Sequence, residues 1–131
     1  VTCGGGLNHR IGLFDAYLIK ENHLAACGSI RQAVQRGRAL HSDKLLEVEV
    51  ETLEQLQQAL EANVDRALID NFSLEEMKQA VKMTSNQIQL EASGNITDES
   101  LFNIANTGVD FISIGALTKH VRAIDFSLRF L

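Results

Sequence analysis

A short apolar segment, a polar turn and an amphipathic helical pattern recur as one unit along most of this 131-residue chain. The apolar residues of each helical pattern lie three or four positions apart, which places them on one face of an α-helix. Strands that alternate with helices imply parallel pairing, because each helix carries the chain back across the sheet. The predicted strands are residues 16–20, 45–50, 67–70, 88–93, 111–115 and 124–130.

The helical patterns begin at residues that can cap a helix. Thr52 is followed three positions later by Gln55, and Ser73 by Glu76, so both segments have the form of a capping box. Such a box satisfies backbone N–H groups that the first turn of a helix leaves free. The helical patterns are predicted to start from Ser29, Thr52, Ser73 and Thr97.

The predicted strands are apolar on one face only. Leu46, Val48 and Val50 share one face of the second strand, whereas Glu47 and Glu49 lie on the other. A strand buried between two helix layers would be apolar on both faces, as in an open doubly wound sheet. We therefore predict an α/β fold, a TIM-like barrel of parallel strands with its site at the C-terminal mouth. The alternative is an antiparallel sheet with an exposed face.

Composition excludes some classes of protein. The net charge is −5, and no basic run of the kind that binds nucleic acid is present. No apolar run reaches the roughly 18 residues of a membrane helix, so no membrane partner is predicted. Cys3 and Cys27 lack the spacing of a metal site and are interpreted as free thiols. One soluble domain over residues 1–131 is expected.

The first group of candidate site residues is cationic. His9 and Arg10 follow a run of three glycines, and Lys20 ends the first predicted strand. The planar guanidinium of arginine matches a carboxylate bidentately, and lysine adds a point charge. Together they suit a small acid with more than one carboxylate, whereas the alternative is a surface pair beside a glycine turn. Asn22 and His23 are interpreted as positioning the next loop.

The second group is acidic and comprises Glu47, Glu49 and Asp70 at the ends of adjacent predicted strands. Carboxylates at this place can hold Mg²⁺, bind sugar hydroxyls or stabilise a cationic transition state. The alternative is a set of salt bridges to Lys20 and Arg10 that closes the barrel, and both interpretations are compatible.

The third group follows the last two strands of the repeat. Phosphate sites in barrels commonly use these late loops, where backbone N–H groups and a helix N-terminus face the anion. Glycine allows the backbone to approach the ligand closely. The alternative is that the glycines only form turns. The group consists of Ser93, Gly94, Asn95, Gly115, Lys119 and His120.

The longer motifs carry a resemblance to a known family. GGGLNHRIGLFDAYLIKENH, LLEVEVETLEQLQQAL, LIDNFSLEEMKQAV, LEASGNI and GVDFISIGALTKHVRAIDFSLRF occur in this order. The chain resembles quinolinate phosphoribosyltransferase, also called carboxylating nicotinate-nucleotide pyrophosphorylase, particularly its proteobacterial form. The resemblance covers essentially all 131 residues.

The resemblance implies a reaction of NAD biosynthesis. A phosphoribosyl group passes from phosphoribosyl pyrophosphate to quinolinate, which yields nicotinate mononucleotide, pyrophosphate and CO₂. It also implies Mg²⁺ as cofactor, a cytoplasmic location and a homodimer in which an arginine of the partner completes each site. The alternatives are a non-catalytic fragment or binding module, and a related barrel enzyme that acts on another phosphorylated sugar.

The resemblance also implies roles for individual residues, and these match the three groups. His9, Arg10 and Lys20 correspond to residues that bind the two carboxylates of quinolinate. Glu49 and Asp70 correspond to carboxylates in the ribose and Mg²⁺ region. The residues that correspond to the 5′-phosphate loops are Ser93, Gly94, Asn95 and Gly115, with Lys119 where many family members have histidine.

Family members are substantially longer than this chain. The resemblance implies that an N-terminal α/β domain and the first barrel strand, which bears an Arg-Lys-Thr motif, precede Val1. The expected fold is therefore an incomplete barrel. We expect this chain alone to be inactive or nearly so, and its exposed sheet edges to favour association. The apolar side of the last strand, residues 124–130, is predicted to pack on the barrel or on the preceding domain.

Overall fold

The computed structural model describes residues 1–130. Strands and helices alternate along most of this range, and a short 3-10 turn, Thr2–Gly4, precedes them. The strands are β1 (Ala16–Ile19), β2 (Leu45–Val50), β3 (Arg66–Asp70), β4 (Gln89–Ser93) and β5 (Phe111–Ile112). The helices are α1 (Glu21–Cys27), α2 (Ile30–Leu40), α3 (Leu53–Glu61), α4 (Leu74–Thr84), α5 (Asp98–Ala105) and α6 (Ala116–Lys119).

The five strands form one sheet in the order β1-β2-β3-β4-β5, and every adjacent pair is parallel. The antiparallel alternative is therefore wrong. Because each strand is followed by a helix and lies beside the next strand in sequence, the sheet curves as part of a TIM-like barrel. Within residues 1–130, β5 does not pair with β1, so this portion of the barrel is open.

Four helices begin where the sequence predicts. The side chains of Ser29, Thr52, Ser73 and Thr97 each accept a hydrogen bond from a backbone N–H in the first turn of the helix that follows. The box at Ser73 is complete, since Glu76 also accepts from the Ser73 N–H at 2.8 Å. The box at Thr52 is only half formed, because the Gln55 amide oxygen accepts from the preceding residue, Glu51.

The two faces of the sheet differ in the way that alternation predicts. Leu46, Val48 and Val50 are fully buried, in one core with the apolar sides of the helices. The opposite face of the neighbouring strands presents Glu47 and Glu91, each only 2% exposed. One layer of helices therefore covers the apolar face, and the polar face forms the inner wall of the barrel.

The predicted strand at residues 124–130 is absent from the structure. This segment forms no ladder with a neighbouring strand, and Ile124, Phe126, Leu128 and Phe130 are 76% to 95% exposed. A strand is stabilised by backbone hydrogen bonds to a partner strand, and no such partner lies beside this segment within residues 1–130. Its predicted packing on the described part of the barrel is therefore wrong.

The structure also tests two smaller predictions, the end of the fifth strand and the state of the cysteines. β5 ends at Ile112 rather than at Gly115, because it is an edge strand with one neighbour and the chain turns into α6. Cys3 and Cys27 are free thiols, as predicted. Among the described residues, no helix has the length and apolar character needed to cross a membrane.

Candidate active site on the inner face of the sheet

The ends of β1 and β2 bring together a predicted cation and a predicted carboxylate. Lys20 follows β1 directly, and its Nζ lies 2.8 Å from Oε2 of Glu49. The hydrogen bond to Glu49 raises the pKa of Lys20, so the ammonium form is favoured. Lys20 is also the N-cap of α1, and its backbone N–H donates to Nδ1 of His23 at 3.0 Å. His23 thus positions this loop, as the sequence indicates.

The loops after β3 and β4 are joined to each other. The backbone N–H of Asn71 donates to the Ser93 carbonyl at 2.9 Å, and its side-chain oxygen accepts from Nδ2 of Asn95 at 3.2 Å. Asp70 accepts a hydrogen bond from the Asn71 amide at 2.7 Å. Gly94, with φ +99°, crosses so close to Asn71 that a Cβ there would lie 2.8 Å from the Asn71 nitrogen.

The predicted phosphate-binding residues line one cavity of about 480 Å³. The cavity lies between the loop after β4, which leads into α5, and the start of α6. The exposed side chain of Lys119 supplies positive charge to an anion in this cavity, and His120 lies beside it. The predicted residues in its wall are Ser93, Gly94, Asn95, Gly115, Lys119 and His120.

A buried cluster of charge occupies the middle of the inner face. Nε2 of His9 lies 2.9 Å from Oε2 of Glu47 and 3.6 Å from Oε1 of Glu91. Glu91 is also paired with Arg66 at 3.0 Å and hydrogen-bonded to the hydroxyl of Ser113. The other carboxylate oxygen of Glu47 is buried without a hydrogen-bond partner in the described structure. The cluster lines a second cavity of about 400 Å³.

Burial dominates the electrostatics of Glu47. It raises the pKa of the Glu47 carboxyl to about 7, and repulsion from Glu91 acts in the same direction. His9 and Arg66 oppose the shift by attraction. The buried carboxyl of Glu47 is therefore a weaker acid than an exposed glutamate.

The raised pKa of Glu47 predicts a pH dependence of stability. The unfolded chain loses this proton near pH 4.5, but the folded chain retains it to about pH 7, so the folded state binds more protons between these values. Stability contributed by this group is present below pH 4.5 and is lost as pH rises to about 7, by at most about 3 kcal/mol. We expect Glu47→Gln to remove this loss, in urea unfolding at pH 4.5 and 8.

The control for this experiment is Glu54→Gln, the same change at an exposed position of α3. Subtracting each variant from the parent chain cancels the contribution of carboxylates that do not interact with the substituted residue, which for Glu47 leaves Glu91. An equal pH dependence for the Glu54 and Glu47 variants would contradict the assignment.

The cationic group is only partly assembled as predicted. His9 and Arg10 line the same cavity, but Lys20 does not line it and pairs with Glu49 instead. A guanidinium nitrogen of Arg10 donates to the Ala16 carbonyl at 3.3 Å, so Arg10 forms no salt bridge to the acidic group among the described residues. Salt bridges from both Lys20 and Arg10 to the acidic group were the alternative interpretation. The structure contains the one from Lys20, to Glu49.

Arg66, Glu91 and Ser113 were not among the sequence-predicted site residues. The predicted third strand begins at residue 67, one residue after Arg66. The prediction therefore does not place Arg66 on the inner face with Leu68 and Asp70. Glu91 and Ser113 lie within the predicted strands 88–93 and 111–115, but no pattern of neighbouring residues marks them as site residues. Extending the strand by one residue would have placed Arg66 opposite the carboxylates.

The fold and the site define a class, an α/β-barrel domain with polar groups along the ends and inner face of its parallel strands. The sequence model of the quinolinate phosphoribosyl transferase C-terminal domain matches residues 1–129. The chain belongs to this family.

Relatives agree with the family assignment. A probable carboxylating nicotinate-nucleotide pyrophosphorylase of Bacillus subtilis is 45% identical over 98% of the chain, which spans 45% of that protein. A chloroplastic carboxylating nicotinate-nucleotide pyrophosphorylase of Arabidopsis thaliana is 39% identical over 98% of the chain, and the chain covers 42% of that protein. The nicotinate-nucleotide pyrophosphorylase structure from Francisella tularensis has a TM-score of 0.92 and 55% identity, covering 95% of this chain and 44% of that one. The chain thus spans about half the length of these relatives.

Proposed function

We propose that this chain is the catalytic barrel domain of an enzyme that transfers a phosphoribosyl group from phosphoribosyl pyrophosphate to quinolinate. The products are nicotinate mononucleotide, pyrophosphate and CO₂. The observation that carries the proposal is the order of groups along the strand ends. A cation follows β1, carboxylates end β2 and β3, and a glycine-containing loop follows β4.

The cationic end suits quinolinate. Lys20 is held as an ammonium beside Glu49, and His9 and Arg10 lie together in the loop before β1. Quinolinate carries two carboxylates, so its recognition requires more than one positive group. Charge-assisted hydrogen bonds of this kind contribute about 1.5–3 kcal/mol each. We infer that these three residues bind and orient the dicarboxylate.

The carboxylates suit the reacting sugar. Positive charge develops at C1 of the ribose as the bond to pyrophosphate breaks, and nearby carboxylates stabilise it. Glu49 and Asp70 are half-buried at adjacent strand ends, where they can also accept hydrogen bonds from ribose hydroxyls. The cavity lined by Ser93, Gly94 and Gly115 would then hold the 5′-phosphate through backbone N–H groups.

Mg²⁺ fits the donors at this end of the sheet. Carboxylate oxygens are its preferred protein ligands, and it commonly takes one or two of them and keeps several waters. Glu49 and Asp70 offer such oxygens and are open enough to admit water. We propose that these two residues hold the ion, directly or through water. When bound, it would neutralise charge on the leaving pyrophosphate.

We further propose a cytoplasmic homodimer as the working form. Members of this family that resemble the chain are about twice its length, and an exposed apolar segment at residues 124–130 is available to pack against further structure. We propose that the 131-residue chain alone has little or no activity, because it spans only 45% of the Bacillus subtilis relative.

Calorimetric titration tests the substrate. We expect the complete product of the encoding gene to bind quinolinate at least about tenfold more tightly than nicotinate, which lacks the second carboxylate. Lys20→Met should weaken quinolinate binding by about tenfold or more, because it removes one charged contact. The control is Lys82→Met, at an exposed position of α4. Equal affinity for the two acids would contradict the proposal, as would no binding by a folded protein.

The same titration on the 131-residue chain tests whether quinolinate binding requires residues outside this chain. Binding by the complete product but not by this chain would agree with the proposed inactivity of the chain alone. Turnover by this chain alone would overturn that part of the proposal.

A further inference from the structure

The loop that carries His9 has little structure of its own. Residues 5–15 form neither helix nor strand, and the His9 side chain is 30% exposed. The imidazole is anchored across 38 positions in sequence by its contact with Glu47. A side chain on such a loop needs a fixed partner if it is to present the same atom to a ligand each time.

Burial of the Glu47 carboxylate at this position costs free energy. It is only 2% exposed on the inner face of β2, and one of its oxygens has no hydrogen-bond partner in the described structure. An apolar side chain at this position would avoid the cost of burying a carboxylate. The structural role of Glu47 is therefore insufficient to explain its presence, and its contact with His9 is the interaction that distinguishes it from an apolar residue.

Both carboxylates approach the same nitrogen of the imidazole. Nε2 of His9 lies 2.9 Å from Glu47 and 3.6 Å from Glu91, whereas Nδ1 makes no hydrogen bond in the described part of the chain. Arg66 lies on β3 between the two glutamates and holds Glu91 at 3.0 Å. In many sites, the hydrogen bond at one histidine nitrogen sets the tautomer and direction of the other.

We propose that Glu47 is a positioning residue for His9, accepting the hydrogen bond from Nε2–H so that Nδ1, on the opposite side of the ring, donates to a carboxylate of the acid substrate once it is protonated. This inference rests on the proposed function for the identity of the acid. The cavity that His9 shares with Glu47, Glu91 and Arg66 has a volume of about 400 Å³, which accommodates a small aromatic acid. Glu91 lies 3.6 Å from the same nitrogen of His9, and its carboxylate is paired with Arg66 at 3.0 Å.

Three variants separate the effect of side-chain length from the effect of charge at position 47. Glu47→Ala removes the partner of His9, Glu47→Gln retains the length and an acceptor oxygen, and Glu47→Asp retains the charge but is one methylene shorter. Steady-state kinetics of the complete gene product would give KM for each substrate and kcat. We expect Glu47→Ala to raise KM for quinolinate by about 10- to 100-fold and to change KM for phosphoribosyl pyrophosphate less than about twofold.

The conservative variants decide between positioning and charge. We expect KM for quinolinate to stay close to the parent value in Glu47→Gln and to rise in Glu47→Asp, because the hydrogen bond to His9 depends on the length of the side chain. Equal impairment of both substrates, or better recovery by Glu47→Asp, would overturn the proposal. Glu54→Gln on exposed α3 is the matched control and should behave as the parent. If the parent does not use quinolinate at all, the proposed function fails instead.

A measurement on the unsubstituted protein makes the proposal independent of variant folding. Nitrogen-15 shifts of the four histidines, with His9 assigned by a His9→Gln variant, would report which ring nitrogen carries the proton. We expect Nε2 of His9 to carry a proton with or without quinolinate, and Nδ1 to carry one when quinolinate is bound. Protonation at Nδ1 alone would overturn the proposal. So would binding of Mn²⁺ that is lost in Glu47→Gln, since the cluster would then be a metal site.

Discussion

Arg66→Met is expected to lower the free energy of unfolding by about 4 kcal/mol, because it leaves Glu91 as a buried charge without its cationic partner. Glu91 is only 2% exposed, and the Arg66 guanidinium lies 3.0 Å from its carboxylate. The same guanidinium lies 4.0 Å above the centre of the Phe111 ring, a contact that the variant also loses. Urea unfolding at pH 7, followed by circular dichroism, measures the change.

A second substitution distinguishes loss of the ion pair from loss of packing. Adding Glu91→Gln to Arg66→Met removes the unpaired charge, so we expect the double variant to recover much of the lost stability. Arg31→Met, on the exposed side of α2, is the matched control and should change stability by less than about 0.5 kcal/mol. If Arg66→Met resembles this control, the pair is not what stabilises the inner face.

Gly94→Ala is expected to destabilise the chain by about 4 kcal/mol, from two sources. At φ +99°, a residue with a side chain is strained by about 1–3 kcal/mol. The added Cβ would also lie 2.8 Å from the backbone nitrogen of Asn71, which donates to Ser93 and cannot move freely. Overpacking of this kind costs about 1–3 kcal/mol more. Thermal and urea unfolding would measure the total.

Gly115→Ala is the matched control in the same cavity. No atom lies within 4 Å of a Cβ at Gly115, and its φ of −62° suits any residue. We expect a change of less than about 0.5 kcal/mol. Similar stability for the Gly94 and Gly115 variants would show that the loops after β3 and β4 do not approach as closely as described.

Local signals predict much of the fold. The caps of α2, α3, α4 and α5 act within three residues of each helix start, so the sequence alone locates them. Alternation along β2 likewise assigns its residues to opposite faces, because successive side chains of a strand must point apart. The alternation of strands with helices predicts the direction of pairing, and the parallel sheet confirms it.

The prediction failed where structure depends on a distant partner. The alternation at residues 124–130 is as regular as that of β2, yet the segment has no neighbouring strand within residues 1–130 and stays exposed. β5 is shorter than predicted for the related reason that it has one neighbour. A pattern indicates which face a strand would bury, but only hydrogen bonding to another strand forms it.

The sequence by itself determined the order of the first five strands and of α2 to α5, the starts of these four helices, the apolar and polar faces of β2, and the set of residues at the strand ends. These depend on interactions within a few residues or on the two-residue period of a strand. Only the tertiary structure decided that Lys20 pairs with Glu49, that His9 contacts Glu47, and that Arg66 pairs with Glu91. Electrostatic partners are set by strand register and by distances of a few ångströms, and a linear pattern contains neither.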